Sequence, residues 1–353
     1  MTSLRRLRDA IRPLPPDADG EARRHVDALT KPPGSLGRLE EIAVRLAALA
    51  GGVPRVARPV VFVFAADHGV AAEGVSAYPQ VVTAQMVENF VRGGAAINVF
   101  ARQAGARVVV ADFGVAGPLP SAAGLVRCAV GAGTASMARG PAMTREQAVQ
   151  AIERGAALGE AAIDDGADLL VTGEMGIGNT TAASAIVAAL ADAPPERVTG
   201  RGTGVDEATW RRKVDVVRRA LTINRPDPGD ALDVLAKVGG FEIGGLVGVV
   251  LAGAVRSIPV VLDGFISTAA GLVAVALAPA ARDTIFAAHR SAEPGHTVAL
   301  ERLGLTPYLD LSLRLGEGTG GTLFVHVARA AALMYAEMAT FKSAGIDGPR
   351  EAP

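Results

Sequence analysis

The chain has 353 residues, of which 50% are hydrophobic and 20% charged, and its formal net charge is −1. This length accommodates one large domain or two ordinary ones, and the composition is that of a globular protein, which excludes a disordered chain. Three Tyr, one Trp and the lack of any basic block exclude nucleic-acid binding, which needs clustered cations and usually stacking aromatic rings.

Cysteine content and the character of the N-terminus predict the compartment. Cys128 is the only cysteine, so no intramolecular disulfide can form, and the N-terminus carries no apolar signal core. The longest uncharged run, from Gly264 to Ala281, reaches the length of a membrane span, but its Ser, Thr, Gly and Pro residues favour a buried helix. We therefore predict a cytoplasmic protein with no membrane partner.

Apolar patterning along the chain predicts an α/β fold. Before Pro54, apolar residues from Leu36 to Leu46 recur at helical spacing. After it, Ala-rich segments of helical length alternate with short apolar runs, which cover 59–65, 108–111, 168–172 and 258–262. Such runs are typical of strands buried on both faces of a parallel sheet. Thr322 to Phe341 is predicted as a final helix that packs back on the N-terminal helices.

Two structures remain open for the stretch from Leu309 to Leu315. Its strict alternation of apolar and polar residues is typical of a strand. However, Asp310 and Arg314 also have the spacing of an ion pair along a helix.

Polar residues and glycine follow each predicted strand. Because ligands bind at the carboxyl edge of open parallel sheets, these strand exits are candidate site residues, although loops are also polar for other reasons. The exits are Asp67-His68-Gly69, Asp112-Phe113-Gly114, Gly173-Glu174-Met175-Gly176, Asp263-Gly264-Phe265 and His289-Arg290-Ser291.

Two glycine-rich segments have the character of phosphate-binding loops. The segment from Gly173 to Thr180 follows a predicted strand and opens a helix, where backbone N–H groups can face an anion. Asn179 stands where a nucleotide triphosphatase needs Lys, so a monophosphate site is favoured, with an ordinary glycine turn as the alternative. The second segment runs from Gly200 to Gly204, and Asp206 can cap the helix after it. Lys213 lies about two turns into that helix, either near a phosphate or in solvent.

Two further groups can hold and activate a heterocyclic substrate. Tyr78 and Gln85 are seven residues apart and share a face if Pro79 begins a helix, so that a ring and an amide can hold a planar base. Glu317 lies among glycines, where a ligand can approach it, and Leu315 is a candidate apolar wall that raises its pKa. The alternatives are a solvent-facing Gln and a solvated loop Glu. The histidines show no metal-ligand spacing, and no Gly-x-Ser-x-Gly elbow is present.

Together these segments resemble the nicotinate-nucleotide–dimethylbenzimidazole phosphoribosyltransferase family, which makes the lower-ligand precursor of cobalamin. The similar stretches span nearly the whole chain in order. They are KPPGSLGRLE (31–40), ADHGV (66–70), SAYPQVVTAQM (76–86), GEMGIGNTT (173–181), GRGTG (200–204), LDGFI (262–266) and RLGEGTG (314–320).

The resemblance implies a Rossmann-like parallel sheet flanked by helices, plus a small helical domain built from both chain termini. The implied division is 1–55 with 321–353 for the helical domain and 56–320 for the catalytic domain. It also implies a homodimer that uses small-molecule substrates, with no cofactor and no metal.

The resemblance further implies roles for individual residues. Glu317 matches the catalytic base, Glu174 lies near the reacting ribose, and Lys213 completes the catalytic group. The implied contacts of the base are Ser76, Tyr78, Gln85 and Leu315. The implied contacts of the phosphate, ribose and nicotinate are Gly176, Ile177, Gly178, Asn179, Thr180, Gly202, Thr203, Gly204, Asp263, Gly264 and Ser291.

The implied reaction moves the ribose phosphate of nicotinate mononucleotide to 5,6-dimethylbenzimidazole and gives α-ribazole 5′-phosphate and nicotinate. Three other interpretations remain open. They are another phosphate-binding α/β enzyme such as a sugar-phosphate kinase, a non-catalytic nucleotide-binding module, and a paralogue that uses a different acceptor base.

Overall fold

A parallel β-sheet forms the centre of the molecule. The computed structural model describes residues 3–119, 121, 123–202 and 204–347. Its strands are β1 (Pro59–Ala66), β2 (Arg107–Gly114), β3 (Leu125–Arg127), β4 (Leu169–Met175), β5 (Val260–Leu262) and β6 (Ile285–Ala287). Within those residues the sheet has six strands in the order β3-β2-β1-β4-β5-β6, all pairs parallel. This is the doubly wound order, and it confirms the predicted Rossmann-like sheet.

The order in which successive strands are added to the sheet reverses after β3, so that later strands are added on the other side of β1. The strands β2 and β3 lie on one side of β1, whereas β4, β5 and β6 lie on the other. In the register of the two central pairs, Val60 lies opposite both Arg107 and Leu170. The connections diverge between β1 and β4, so a crevice opens at the carboxyl ends of these two strands. The predicted strand exits at Asp67 and Glu174 lie there, and the exits of the other parallel strands meet the same edge.

Helices cover both faces of this sheet. Their bounds are α1 (Leu4–Ala10), α2 (Gly20–Ala28), α3 (Arg38–Ala50), α4 (Val82–Arg92), α5 (Ala96–Ala104), α6 (Arg145–Asp164), α7 (Asn179–Ala191), α8 (Pro195–Val198), α9 (Glu207–Asn224), α10 (Ala231–Val238), α11 (Phe241–Val255), α12 (Phe265–Leu277), α13 (Pro294–Leu303), α14 (Thr319–Glu337) and α15 (Phe341–Ala344). Short 3₁₀ turns occur at Gly69–Glu73 and Pro279–Thr284.

Alternate residues of each strand enter different hydrophobic cores. Phe62 and Phe64 of β1 pack with α6, α7, α11 and α12 on one face, whereas Val61 and Val63 pack with α3, α5 and α14 on the other. This follows from the strand period of two residues. Both faces of β1, β5 and β6 are buried, so these three strands consist of apolar residues throughout.

The predicted strands and helices differ from the observed ones mainly at their ends. The four apolar runs are strands, but β3 is missed because its three residues are only partly buried and include Arg127, so they form no apolar run. The final helix begins at Thr319 and ends at Glu337 rather than running from Thr322 to Phe341. Residues 310–315 form neither strand nor helix; Leu309 makes an isolated bridge with His289, and Asp310 pairs with Arg290 instead of Arg314.

The uncharged run from Gly264 to Ala281 forms the buried helix that was predicted. Helix α12 occupies Phe265–Leu277 and packs against α11, α7 and α13. Within the described ranges, no helix is both long and apolar enough to cross a membrane.

Helices from the two ends of the chain associate with each other. Helices α2 and α3 pack together, α3 packs on α14, and the ring Nε2 of His25 hydrogen-bonds to the carbonyl oxygen of Tyr335 at 2.9 Å. They share one hydrophobic core with Val61 and Val171 of the sheet. Helix α1 instead packs on α6 and α11 at the opposite face. The division into two domains at residues 55 and 320 stays a prediction.

Glycines bring α6 and α11 into backbone contact. An added Cβ at Gly155 would overlap the carbonyl oxygen of Gly245, and one at Gly248 would overlap that of Ile152. Such close approach lets the two helices bury a long shared interface, which no larger residue permits.

We expect Gly155→Ala to lower the free energy of unfolding by about 1–3 kcal/mol, because overpacking outweighs the gain in helix propensity. Gly20→Ala is the matched control in a helix, since its nearest neighbour would be the guanidinium of Arg24 at 3.6 Å. Urea unfolding curves measure both variants. Equal midpoints for the two proteins would contradict this account of the α6–α11 contact.

Candidate active site

A strained glycine turn presents Glu317 at the carboxyl edge of the sheet. Glu317 has φ of +62°, and its neighbours Gly316 and Gly318 have φ of +86° and +87°. A left-handed conformation costs a residue other than glycine about 1–2 kcal/mol, so surrounding contacts must impose it. Glu317 is 5% exposed, which excludes the solvated loop Glu that the sequence left open.

The carboxyl group of Glu317 is desolvated, and one of its two oxygens has no hydrogen-bond partner among the described residues. Burial raises its pKa to about 7, a hydrogen bond from the Ile97 amide opposes this rise, and the charge of Asp263 adds to it. Its Oε2 atom is buried and has no hydrogen-bond partner among the described residues. A carboxylate with this pKa and an unused oxygen is suited to accept a proton near neutral pH.

The predicted wall at Leu315 is wrong, since its side chain is 58% exposed. The backbone provides the close contact instead. An added Cβ at Gly173 of β4 would lie 2.5 Å from the carbonyl oxygen of Glu317. The glycine on the strand therefore lets the turn lie directly on the sheet.

Asp263, which follows β5, holds the turn from below. Its Oδ2 accepts the amide of Gly318 at 3.2 Å, and its Oδ1 accepts the amide of Gly321 at 2.8 Å. The ring Nε2 of His289, beyond β6, lies 3.6 Å from Oδ1. Burial opposes protonation of His289, but its contacts with Asp263 raise its pKa on balance.

Glu174 lies beside this turn at the end of β4. An added Cβ at Gly316 would overlap its Oε1, and the side-chain amide of Asn179 donates to its Oε2. Burial raises the pKa of Glu174 to about 8, and the charges of Glu242, Asp263 and Glu317 add to the rise. Two carboxyl groups with raised pKa values thus lie next to each other in the crevice.

A second histidine–acid pair lies beneath the first glycine-rich loop. The ring Nε2 of His68 is 2.6 Å from Oε1 of Glu242, and both side chains are fully buried. An added Cβ at Gly176 would lie 3.2 Å from the His68 ring, and Gly178 also packs against His68. The crevice therefore holds four acids, of which Asp263 and Glu242 each have a histidine partner.

The loop at Gly176 to Gly178 is shaped by this packing. The amide of Ile177 donates to the hydroxyl of Thr83 at 3.2 Å, and the amide of Asn179 donates to the Gly176 carbonyl at 3.0 Å. The glycine spacing is thus explained by close contact with the β1 exit. Whether this loop also binds a phosphate stays a prediction.

Lys213 and Thr180, the residue of α7 that follows Asn179, form a cationic corner beside the second glycine-rich segment. The Nζ atom of Lys213 donates to the hydroxyl of Thr180 at 2.8 Å, and an added Cβ at Gly202 would lie 3.1 Å from each of these two atoms. Lys213 is 1% exposed, which excludes a solvated surface Lys. Burial lowers its pKa to about 8, against the opposing charge of Glu293. Asp206 caps α9, as predicted.

Glu293 and Arg314 fix the second glycine-rich segment from opposite sides. Oε1 of Glu293 accepts the Gly202 amide at 2.8 Å, and the Arg314 guanidinium donates to the Gly202 carbonyl at 3.0 Å. A cavity of about 650 Å³ borders Gly202 and Gly204. Thr203 lies outside the described residues.

Gly264 and Ser291, two further residues predicted to contact the donor, lie close to His289 in space or in sequence. The Cβ position of Gly264 lies 3.5 Å from Nε2 of His289. The hydroxyl of Ser291 accepts the Glu293 amide at 3.3 Å. Asp263, Gly264 and Ser291 thus support neighbouring parts of the crevice.

The predicted base-binding residues are more exposed than the acids. Helix α4 begins at Val82, so the prediction that Pro79 lies in its first turn is wrong and Tyr78 lies outside the helix. Tyr78 is 54% exposed, and the Ser76 hydroxyl accepts the Tyr78 amide at 3.2 Å. Gln85 is exposed on α4 and lines a cavity of about 430 Å³ together with Asp67 and Glu88. The structure does not bring these residues into contact with Glu317.

Comparison with known proteins identifies the family. A family model described as phosphoribosyltransferase matches residues 11–346. The nicotinate-nucleotide–dimethylbenzimidazole phosphoribosyltransferase of Chloroflexus aggregans is 56% identical over 353 residues, all of both chains. The chain belongs to the nicotinate-nucleotide–dimethylbenzimidazole phosphoribosyltransferase family.

Further relatives agree in sequence and in structure. The phosphoribosyltransferase of the same name from Geobacter metallireducens is 51% identical over 99% of this chain and all of its own. The crystal structure of CobT from Thermus thermophilus superposes with a TM-score of 0.91 at 54% identity, covering 95% of this chain and all of that one.

The sequence did not predict Glu242 and Glu293 as site residues of this phosphoribosyltransferase. It placed His289 at a strand exit but did not predict that His289 is the partner of Asp263. His68 and Asp67 carried a signal, since they follow β1 directly. Glu242 had none, because a single acid at the start of an apolar helix has no diagnostic spacing. Among the described residues, no group of three or more His, Cys, Asp or Glu side chains could hold a metal ion, and the metal-free chemistry stays a prediction.

We expect Glu174→Gln to stabilise the unliganded protein by about 2 kcal/mol at pH 8. The fold disfavours the charged form of Glu174, so its pKa of about 8 lies above the unfolded value near 4.5. The native state therefore binds more protons than the unfolded state between these pH values, and stability falls as the pH rises. Gln keeps an oxygen for Asn179 without the charge.

The measurement is urea unfolding of both proteins from pH 5 to pH 8. The difference should grow with pH and be small at pH 5. A difference that is independent of pH would show that Glu174 is not titrating in the folded protein.

Proposed function

We propose that the chain transfers the phosphoribosyl group of nicotinate mononucleotide to 5,6-dimethylbenzimidazole, forming α-ribazole 5′-phosphate and nicotinate for the nucleotide loop of cobalamin. The observation that carries the proposal is the buried Glu317 carboxylate, which has one unused oxygen and lies at the crevice beside Glu174. Relatives that bear this enzyme's name match the chain over its full length.

The donor has a natural place between the acids and the cationic corner. Asn179 contacts Glu174, and the next residue, Thr180, contacts Lys213, so the two groups meet at the start of α7. We propose that Lys213, the Thr180 hydroxyl and the Gly202 segment hold the donor phosphate. The helix N-terminus adds favourable partial charge for an anion there. Holding the phosphate fixes the ribose for attack.

The reaction then needs one proton transfer. The bond between the anomeric carbon and the nicotinate nitrogen breaks, and its electron pair neutralises the charged ring. A benzimidazole nitrogen forms the new bond from the opposite face, so a β-linked donor gives an α-linked product. Glu317 takes the N–H proton of the base. Glu174, close to the developing charge on the ribose, stabilises it electrostatically.

The structure counts against a kinase or nucleotide triphosphatase. Asn179 replaces the phosphate-loop Lys and is buried against Glu174, so no cation reaches β- and γ-phosphates from that position. The identity of the acceptor base depends on residues such as Tyr78 and Leu315, whose side chains are more than half exposed. A different acceptor base is therefore the remaining alternative.

We also propose a homodimer in the cytoplasm. The exposed apolar side chains of Tyr78, Val81 and Leu315 support a partner surface next to the acceptor side. The single cysteine supports a reducing compartment. Sedimentation of a monomer at micromolar concentration would exclude the dimer.

Product formation tests the proposed reaction directly. Mixing the protein with nicotinate mononucleotide and dimethylbenzimidazole should release nicotinate and form a ribosyl phosphate adduct of the base, both detected by mass spectrometry without added nucleotide or metal. A parallel panel of purines and benzimidazoles ranks the acceptors. Glu317→Gln should lose about 10²–10⁴-fold in kcat, since it removes the general base.

The matched control for that variant is donor binding by calorimetry. Gln has the size of Glu, so affinity for nicotinate mononucleotide should stay within a few-fold of the wild type. Turnover in Glu317→Gln equal to the wild type would refute the assignment of the base.

The pH dependence of turnover should show two titrations. The rate should rise as the pH passes about 7, because Glu317 accepts a proton only when ionised. The KM for the donor should rise above about pH 8, as Lys213 loses its charge. Lys213→Met should abolish the alkaline effect on KM and leave the rise near pH 7.

Two acceptors of different basicity control for titration of the substrate. A limb that follows the acceptor from one to the other belongs to the acceptor, and the assignment to Glu317 would then fail.

A further inference from the structure

The turn that carries Glu317 is held in position by two buried side chains, Asp263 and His289, whose predicted roles do not include this one. We infer that Asp263, supported by His289, is the positioning residue of the general base and makes no contact with the donor. This inference rests on the proposed function. It changes the role that the resemblance implied for Asp263, which was binding of the phosphate, ribose or nicotinate.

The two backbone amides that Asp263 accepts lie in the turn that carries Glu317 and in the helix that directly follows it. One oxygen accepts the amide of Gly318, the residue directly after Glu317, at 3.2 Å. The other accepts the amide of Gly321, in the first turn of α14, at 2.8 Å. Asp263 is 1% exposed, and each of its carboxylate oxygens is already engaged by one of these backbone amides.

His289 completes the support from the neighbouring strand. Its Nε2 atom lies 3.6 Å from Oδ1 of Asp263, and an added Cβ at Gly320 would overlap its ring. The turn is therefore held by the hydrogen bonds of Asp263 on one side and by packing of the His289 ring on the other. Both residues directly follow strands of the sheet.

The strain at Glu317 explains why such support is needed. Its φ of +62° is unfavourable for a residue with a side chain, and the flanking glycines would allow many other conformations. Hydrogen bonds from two backbone amides to the Asp263 carboxylate restrict the turn to a single conformation. The negative charge of Asp263 also stabilises the N-terminus of α14. Without it, the turn can relax and move the Glu317 carboxylate away from the acceptor.

Asp263→Asn tests this inference, because Asn offers one acceptor oxygen instead of two. We expect kcat to fall about 10- to 100-fold, as for a misplacement of about 1 Å, with the KM for nicotinate mononucleotide changed less than about threefold. The matched control is Asp230→Asn. Asp230 caps α10 through the amides of Leu232 and Asp233 and pairs with Arg145, away from the crevice. It should lose some thermal stability without loss of kcat.

A double-mutant cycle with Glu317→Gln separates positioning from other roles. If Asp263 acts only through Glu317, adding Asp263→Asn to Glu317→Gln costs no further turnover. A further loss of tenfold or more in the double variant would overturn the inference. So would a tenfold rise in donor KM with unchanged kcat, since that is the result for a ligand contact.

A second variant keeps the test decisive if Asp263→Asn does not fold. His289→Gln leaves in place both hydrogen bonds that Asp263 accepts from backbone amides and removes the imidazole ring beside it. We expect a smaller fall in kcat that is again absent in the Glu317→Gln background. Wild-type turnover in His289→Gln would contradict the inference. Failure of the proposed function gives a different result, because the wild type itself would then form no product.

Discussion

Desolvation of carboxyl groups at the reversal of strand order is the interaction on which the site depends. Four acids, Glu174, Glu242, Asp263 and Glu317, are buried where β1 and β4 diverge. Taking several like charges out of water is costly unless each finds a partner or a proton. Histidines lie beside Glu242 and Asp263, whereas burial raises the pKa of Glu174 to about 8 and that of Glu317 to about 7. The pairing thus divides similar side chains into supports and candidate reactive groups.

Close backbone approach is the second requirement, and glycine supplies it at defined positions. Gly173 lets the Glu317 turn lie on β4, and Gly316 leaves room for the Glu174 carboxyl group. Gly155 and Gly248 do the same between α6 and α11, far from the crevice. Many of the 42 glycines in the chain therefore serve packing, and glycine content alone is a poor guide to phosphate binding.

The sequence predicts the sheet and the acid at its edge better than it predicts contacts. Runs such as Pro59–Ala65 are strands because burial on both faces requires continuous apolar residues. Glu317 and Lys213 are found through resemblance, but their burial is not visible in the motif. Leu315 fails as the wall because its side chain is exposed, while the close contact with the Glu317 backbone comes from Gly173, more than a hundred residues earlier. Glu242 and Glu293 are missed for the same reason, since their partners are distant in sequence.

The same cluster has an electrostatic consequence for the proposed reaction. The donor carries a positive ring nitrogen, and positive charge passes to the ribose as the bond to nicotinate breaks. Carboxyl groups that are costly in the unliganded crevice become favourable neighbours of that charge, and they need no reorganisation because the fold already holds them. Ionisation of Glu174 would then be easier with the developing cation present than in the empty site. The destabilisation stored in the free protein is in this way the source of preference for the positively charged transition state over products whose rings carry no positive charge.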